Sequence, residues 1–205
     1  MSSKSQRPRP VGAHYDGDLR AALVAAAAEA LADGGPDRLS LREVARRCGV
    51  SHAAPAHYFG DKAGLLTAVA TVGFDRFTAH LAEAVLTGPT DPVELLAVMG
   101  TAYARFAETE PGYFAVMFDP GVIDGGDADY ARASDAAFEA LRATIDGLQA
   151  AGWRRRQDST DLAAAVWALA HGFTVLLRQG SLARHRPGAS PDTSRALVDA
   201  LLAPK

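Results

Sequence analysis

Apolar residues recur at steps of three and four along almost the whole chain, and no run of β-branched residues alternates with polar ones at steps of two. A strand needs a period of two to bury one face, so this periodicity restricts the fold to helix packed on helix. Residues 18–33 put Leu19, Leu23, Ala26, Ala27, Ala30 and Leu31 on one stripe, and Gly34-Gly35-Pro36 stops it. The pattern resumes over 61–86 and 92–108, and in a short piece at 111–118. Residues 119–129, rich in Gly and Asp, read as a loop. Further helices are expected over 130–150, 162–179 and 191–203. The fold class is all-α, with about nine helices.

Composition narrows the class further. The chain has 205 residues, enough for one or two domains with a real core. An apolar share of 48% and a mean hydropathy of −0.02 exclude wholesale disorder. A single cysteine, Cys48, excludes a disulfide-stapled scaffold. The apolar run at 163–170 falls short of the roughly 18 residues of a membrane span. The first residues carry bases with no apolar core behind them, unlike a secretory signal. A cytoplasmic protein with no membrane partner is expected.

Charge is uneven. Residues 1–62 hold nine Lys/Arg against seven Asp/Glu, and residues 63–205 hold twelve against seventeen. A small basic head on an acidic body suits a polyanion partner.

Residues 40–62, SLREVARRCGVSHAAPAHYFGDK, carry most of the functional information. Ser40 and Glu43 have capping-box spacing, in which each side chain satisfies the other's backbone amide. Leu41, Val44, Ala45 and Cys48 give one buried face, and Gly49 ends the helix where a left-handed residue is needed. Ser51 reads as a second N-cap, and the next helix runs to about Phe59. Two short helices joined by Gly49-Val50-Ser51 must cross steeply, which is the helix-turn-helix geometry. Arg42, Arg46 and Arg47 fall outside the apolar face. His52, Ala53, Ala56 and His57 point outward, small residues mixed with hydrogen-bonding ones, as close approach to base edges requires. Pro55 makes the start of this helix irregular. Asp61 caps the following helix, and Lys62 in its first turn suits a phosphate.

Residues 18–81 resemble the N-terminal domain of the TetR family of transcriptional regulators, through the long first helix, LSLREVARRCGVS and HYFGDKAGLL. The resemblance implies that Ser40 and Arg42 touch the DNA backbone. It implies that Ser51, His52 and Ala53 face bases or phosphates, and that His57, Tyr58 and Lys62 hold the strand. Ala56 stands where the family usually has an aromatic residue. The resemblance divides the chain into a basic, disordered tail at 1–15, a DNA-binding domain at 16–80 (helix-turn-helix about 40–59) and an effector-binding and dimerisation domain at 81–205.

In the body, Trp167, His171 and Gly172 within AVWALAHGFTVLL resemble the Trp-His-Gly signature of one C-terminal domain type of the same family, and EPGYFAVMF resembles its short sixth helix. Leu162, Val166, Leu169, Phe173 and Leu176 form one apolar stripe beside a second that holds Trp167 and His171. Gly172 within a helix costs roughly 1 kcal/mol against Ala, which close approach of another helix offsets. The expected homodimer interface is Gly172, Phe173, Leu176, Leu197 and Leu201. The expected effector pocket draws on Tyr103, Phe106, Tyr113, Met117, Trp167 and His171, and suits a small apolar molecule. His171 is expected to be a hydrogen-bonded core histidine.

Other chemistry is poorly supported. The six histidines form no helical metal pair, Cys48 reads as a small buried residue, and residues 124–129 lack the spacing of a calcium loop. Arg154-Arg155-Arg156 reads as a solvated helix end. No catalytic residue, metal or cofactor is expected. The leading function is a repressor that binds an inverted-repeat operator in double-stranded DNA and is released by its effector. The alternative is an α-helical enzyme or carrier with a helix-turn-helix-like corner.

Overall fold

The computed structural model describes residues 16–202. The expectations for the basic tail and for the final residues lie outside them. Nine α-helices follow one another among the described residues: α1 (Asp16–Arg38), α2 (Leu41–Arg47), α3 (Ala54–Phe59), α4 (Lys62–Thr87), α5 (Pro92–Thr109), α6 (Pro111–Met117), α7 (Ala128–Ala150), α8 (Ser159–Arg178) and α9 (Thr193–Leu202), with a 3-10 turn at Leu182–Arg184.

Helix ends follow the local chemistry. Asp61, Asp91, Asp127 and Asp158 cap α4, α5, α7 and α8 with side-chain oxygens that accept from first-turn amides. The break expected at Gly34-Gly35-Pro36 is a kink. Gly35 leaves the helical region with φ 71°, and the chain makes one more turn to Arg38.

Two apolar clusters hold the fold. In the first, Leu23, Ala27 and Leu31 of α1 meet Leu65, Val69 and Phe74 of α4 and Phe114, Val116 and Met117 around α6. In the second, Leu95, Leu96 and Met99 of α5 meet Ile145 and Leu148 of α7, Ala163 of α8 and Val198 of α9. The α4 helix, roughly 39 Å long at 1.5 Å per residue, starts beside α3 and reaches into the body. Thr67 on α4 also ties down the loop before α7: its hydroxyl donates to Ala63 and accepts from the Asp124 amide at 2.8 Å.

The α8 helix is exceptional. It is long and apolar enough to cross a membrane by composition, with a mean hydropathy of 1.4. Its buried residues are Ala163, Phe173 and Thr174. Trp167 is 40% exposed and Leu176 46%, and on the neighbouring α9 Leu201 is 63% exposed.

Candidate DNA-reading head and effector cavity

The corner between α2 and α3 is set by backbone hydrogen bonds. Gly49 adopts φ 66°, and the Val50 amide donates to Ala45 O at 3.0 Å while the Gly49 amide donates to Arg46 O at 3.2 Å. That pair of bonds is a Schellman motif, which needs a left-handed residue and therefore favours glycine. Val50 packs against the core and fixes the exit of the chain.

Two sequence expectations change here. Ser40 does cap α2, accepting from the Glu43 amide at 3.2 Å. The Glu43 carboxylate does not return to Ser40. It takes Arg46 at 2.7 Å and Arg47 at 3.0 Å, and these guanidinium groups hold its pKa down to about 2. Ser51 is not the cap of α3. The Ala54 amide donates to Ser51 O across a turn, and the helix starts three residues later than Ser51, with Ala53 at its cap. Pro55 therefore sits at the second helical position, where no intrahelical partner is lost, and its ring is buried.

Ser40, Arg42, Ser51, His52, Ala53, Ala56 and His57 are all exposed on this corner. Tyr58 and Lys62 are half-buried. The Tyr58 ring packs against the core and meets His57 edge-on at 5.5 Å, and Lys62 Nζ donates to Asp37 O at 3.4 Å. Arg47 is held from a second side by Asp33 at 2.9 Å. Arg42 appears in no salt bridge among the described residues. Cys48 is half-buried, its thiol donates to Ala22 O at 3.5 Å, and burial raises its pKa.

A partly open cavity of about 760 Å³ lies among α4, α5, α7, α8 and α9, and Phe118, just after α6, also lines it. Tyr103, Trp167 and His171 line it as expected from the sequence. Phe106, Tyr113 and Met117 do not. Phe106 is buried and packs edge-on to Phe77 at 5.3 Å, Tyr113 lies under the Arg76 guanidinium at 4.7 Å, and Met117 fits against Gly73 of α4. The walls that the sequence did not reveal are Phe74 and Phe77 of α4, Tyr130 and Phe138 of α7, and Phe118.

His171 is the polar centre. Its Nδ1 lies 2.8 Å from the Tyr103 hydroxyl, its ring meets Phe118 at 4.7 Å edge-on and stacks on Phe114 at 6.0 Å, and burial lowers its pKa. Burial raises the Tyr103 phenol well above its ordinary range, and the Trp167 indole opposes the rise. Phe114 also carries the Arg178 guanidinium over its face at 5.3 Å, and Arg178 donates to Ala107 O.

The residues expected at a dimer interface separate. Gly172 is half-buried, with open space where a Cβ would lie, so no described helix approaches it closely. Leu176 and Leu201 are exposed. Phe173 is buried and lines the cavity, as does the half-buried Leu197 of α9. Phe173 therefore belongs to the protomer's interior.

Comparison with known proteins places this arrangement. Residues 23–69 match the model for bacterial regulatory proteins of the tetR family, and residues 96–202 match the tetracyclin repressor-like C-terminal domain. No curated protein matches the chain by sequence. A solved protein of unknown function from Rhodococcus sp. RHA1 is 32% identical, with a TM-score of 0.78 over 94% of this chain and 96% of that one. The TetR family transcriptional regulator PfmR from Thermus thermophilus is 22% identical, with a TM-score of 0.66 over 88% and 96%. AibR, solved with isovaleryl coenzyme A and operator DNA, is 18% identical, with a TM-score of 0.66 over 91% and 99%. With its C-terminal match alone spanning more than half of the chain, this protein belongs to the TetR family of transcriptional regulators.

Proposed function

We propose that the chain is a dimeric repressor whose α3 helices read an inverted-repeat operator, and that a small apolar molecule in the body cavity releases it from DNA. It acts by binding, without catalysis, in the cytoplasm. The observation that carries this reading is the span of α4. Its first residue, Lys62, lies beside the exposed α2–α3 corner, and Phe74, Phe77 and Leu81 further along the same helix form a wall of the cavity. A ligand that pushes this wall shifts the head, provided it binds the displaced state more tightly.

Ser40 and Arg42 are assigned to the DNA backbone, together with His57, Tyr58 and Lys62, while Ser51, His52 and Ala53 face the groove. Lys62 must leave Asp37 O, or share its hydrogens, to meet a phosphate. The exposed Leu176 of α8 and Leu201 of α9 support the dimer, since burying such side chains against a second copy is favourable. Two heads related by a two-fold axis read two half-sites. The isovaleryl coenzyme A bound by AibR is a polyanion, and no described Lys or Arg lines this cavity, so the effector belongs to another chemical class.

Fluorescence anisotropy with duplexes from the gene's own neighbourhood, titrated with salt, tests the reading. Affinity that falls steeply with salt, together with preference for one inverted repeat, is expected. Absence of binding to every such duplex at low salt overturns it.

A further inference from the structure

The cavity's chemistry defines its ligand more closely than its size does. Among the described residues, eight aromatic side chains line it: Phe74, Phe77, Tyr103, Phe118, Tyr130, Phe138, Trp167 and Phe173. The one described lining residue with a formal charge is Asp135, which is exposed. An anionic head group entering here meets no described cation and sheds water against apolar walls, which is costly.

Within this wall one hydrogen-bond donor is left over, and its direction follows from the Tyr103–His171 pair. The Tyr103 phenol is buried, at 4% exposure, so its hydrogen must find an acceptor inside the protein, whereas the half-buried His171 can present its own hydrogen to the cavity. The phenol hydrogen then has one acceptor within reach among the described residues, His171 Nδ1 at 2.8 Å. The phenol and the imidazole both stay neutral at neutral pH, because burial disfavours the charged form of each. Neutral imidazole carries one hydrogen, so with Nδ1 accepting, that hydrogen sits on Nε2. No described residue accepts from Nε2, although His171 lines the cavity.

We propose that the cavity takes an uncharged, ring-bearing molecule whose carbonyl or hydroxyl oxygen accepts a hydrogen bond from His171 Nε2, and that it rejects carboxylates and other anions. The rings pack edge-on and offset against the aromatic wall, and the single oxygen sets the orientation. A quaternary cation has aromatic faces to meet but nothing to offer the Nε2 hydrogen. This inference rests on the cavity being the effector site, and it adds the chemical class and the residue that recognises it.

The test uses four probes on one ring system and no DNA: naphthalene, acetylnaphthalene, naphthoate and a naphthyl trimethylammonium salt. Their binding to the full chain is measured by calorimetry and by quenching of Trp167 and Trp153. Acetylnaphthalene should bind about fivefold to tenfold tighter than naphthalene, the worth of one hydrogen bond. Naphthoate should bind about a hundredfold more weakly than acetylnaphthalene. His171→Phe keeps a ring against Phe118 and removes the donor, so acetylnaphthalene should fall to the level of naphthalene while naphthalene is unchanged. Naphthoate or the trimethylammonium probe binding tightest overturns the assignment, as does an acetyl preference that survives in His171→Phe. The wild-type ranking alone decides the matter if His171→Phe fails to fold. A chain that binds operator DNA but none of the probes refutes this proposal and leaves the regulator reading intact. A chain that ranks the probes as expected but binds no DNA does the reverse.

Discussion

Gly112 lies directly against the main chain of Ala28, so that a methyl group added at Gly112 would overlap the Ala28 carbonyl oxygen. The short α6 is thereby seated on α1, the helix that backs the DNA-reading head, while Phe114 from the same α6 stacks on His171 of the cavity. Backbone cannot yield as a flexible side chain does. Gly112→Ala should therefore cost about 1–3 kcal/mol of stability, read from the midpoint of chemical denaturation. It should also weaken the effect of a cavity ligand on DNA affinity more than it weakens ligand binding itself.

Arg42 is exposed with no salt bridge among the described residues, whereas Arg46 and Arg47 share Glu43. Arg42→Ala should lower DNA affinity for all sequences about equally and reduce the slope of log affinity against log salt by about 1. His52→Ala should change the preferred bases and leave that slope almost unaltered. Anisotropy titrations at several salt concentrations separate the two effects.

The exposed stripe on α8 predicts the assembly. Leu176→Glu puts a carboxylate into any contact made there, and self-association should weaken by about a hundredfold or more. Light scattering should then report a monomer at micromolar concentration, while the helical circular dichroism spectrum stays intact because Leu176 is exposed within the protomer. An unchanged dimer would place the interface elsewhere.

His171 gives the cavity a pH response. Its pKa is lower in the folded chain than the ordinary 6.5, so the unfolded chain takes up the proton first as pH falls. Its contribution to stability is complete above about 6.5 and is lost below that value. Denaturation midpoints measured between pH about 7.5 and about 5 should fall towards acid, and His171→Phe should flatten that part of the curve.

The order of helices and the α2–α3 corner were legible from local chemistry. Ser40, Gly49 and Asp61 act through neighbours a few residues away, and such signals are written in the sequence. The start of α3 was not legible, because a backbone turn from Ser51 to Ala54 satisfies the amide that a capping side chain would have taken. The cavity was half legible. Tyr103 and His171 were found, but Phe74 and Phe77 lie on the same period as the true core residues of α4, and periodicity cannot tell a core from the wall of a void. Tyr113 and Met117 were misplaced for the same reason: α6 turns them towards Arg76 and Gly73, a partnership set by tertiary packing.

Glu43 and Asp33 occupy two of the guanidinium groups nearest the reading corner before any nucleic acid arrives. Each cation so engaged displaces fewer condensed counterions when the head meets an arbitrary stretch of chromosome, so indiscriminate adhesion is weakened while recognition through base edges is untouched. In the proposed DNA-binding reading, the internal acid would act as a filter on genomic search. Fewer copies are held up on the vast excess of wrong sites, and a modest number of molecules suffices to keep the right one occupied.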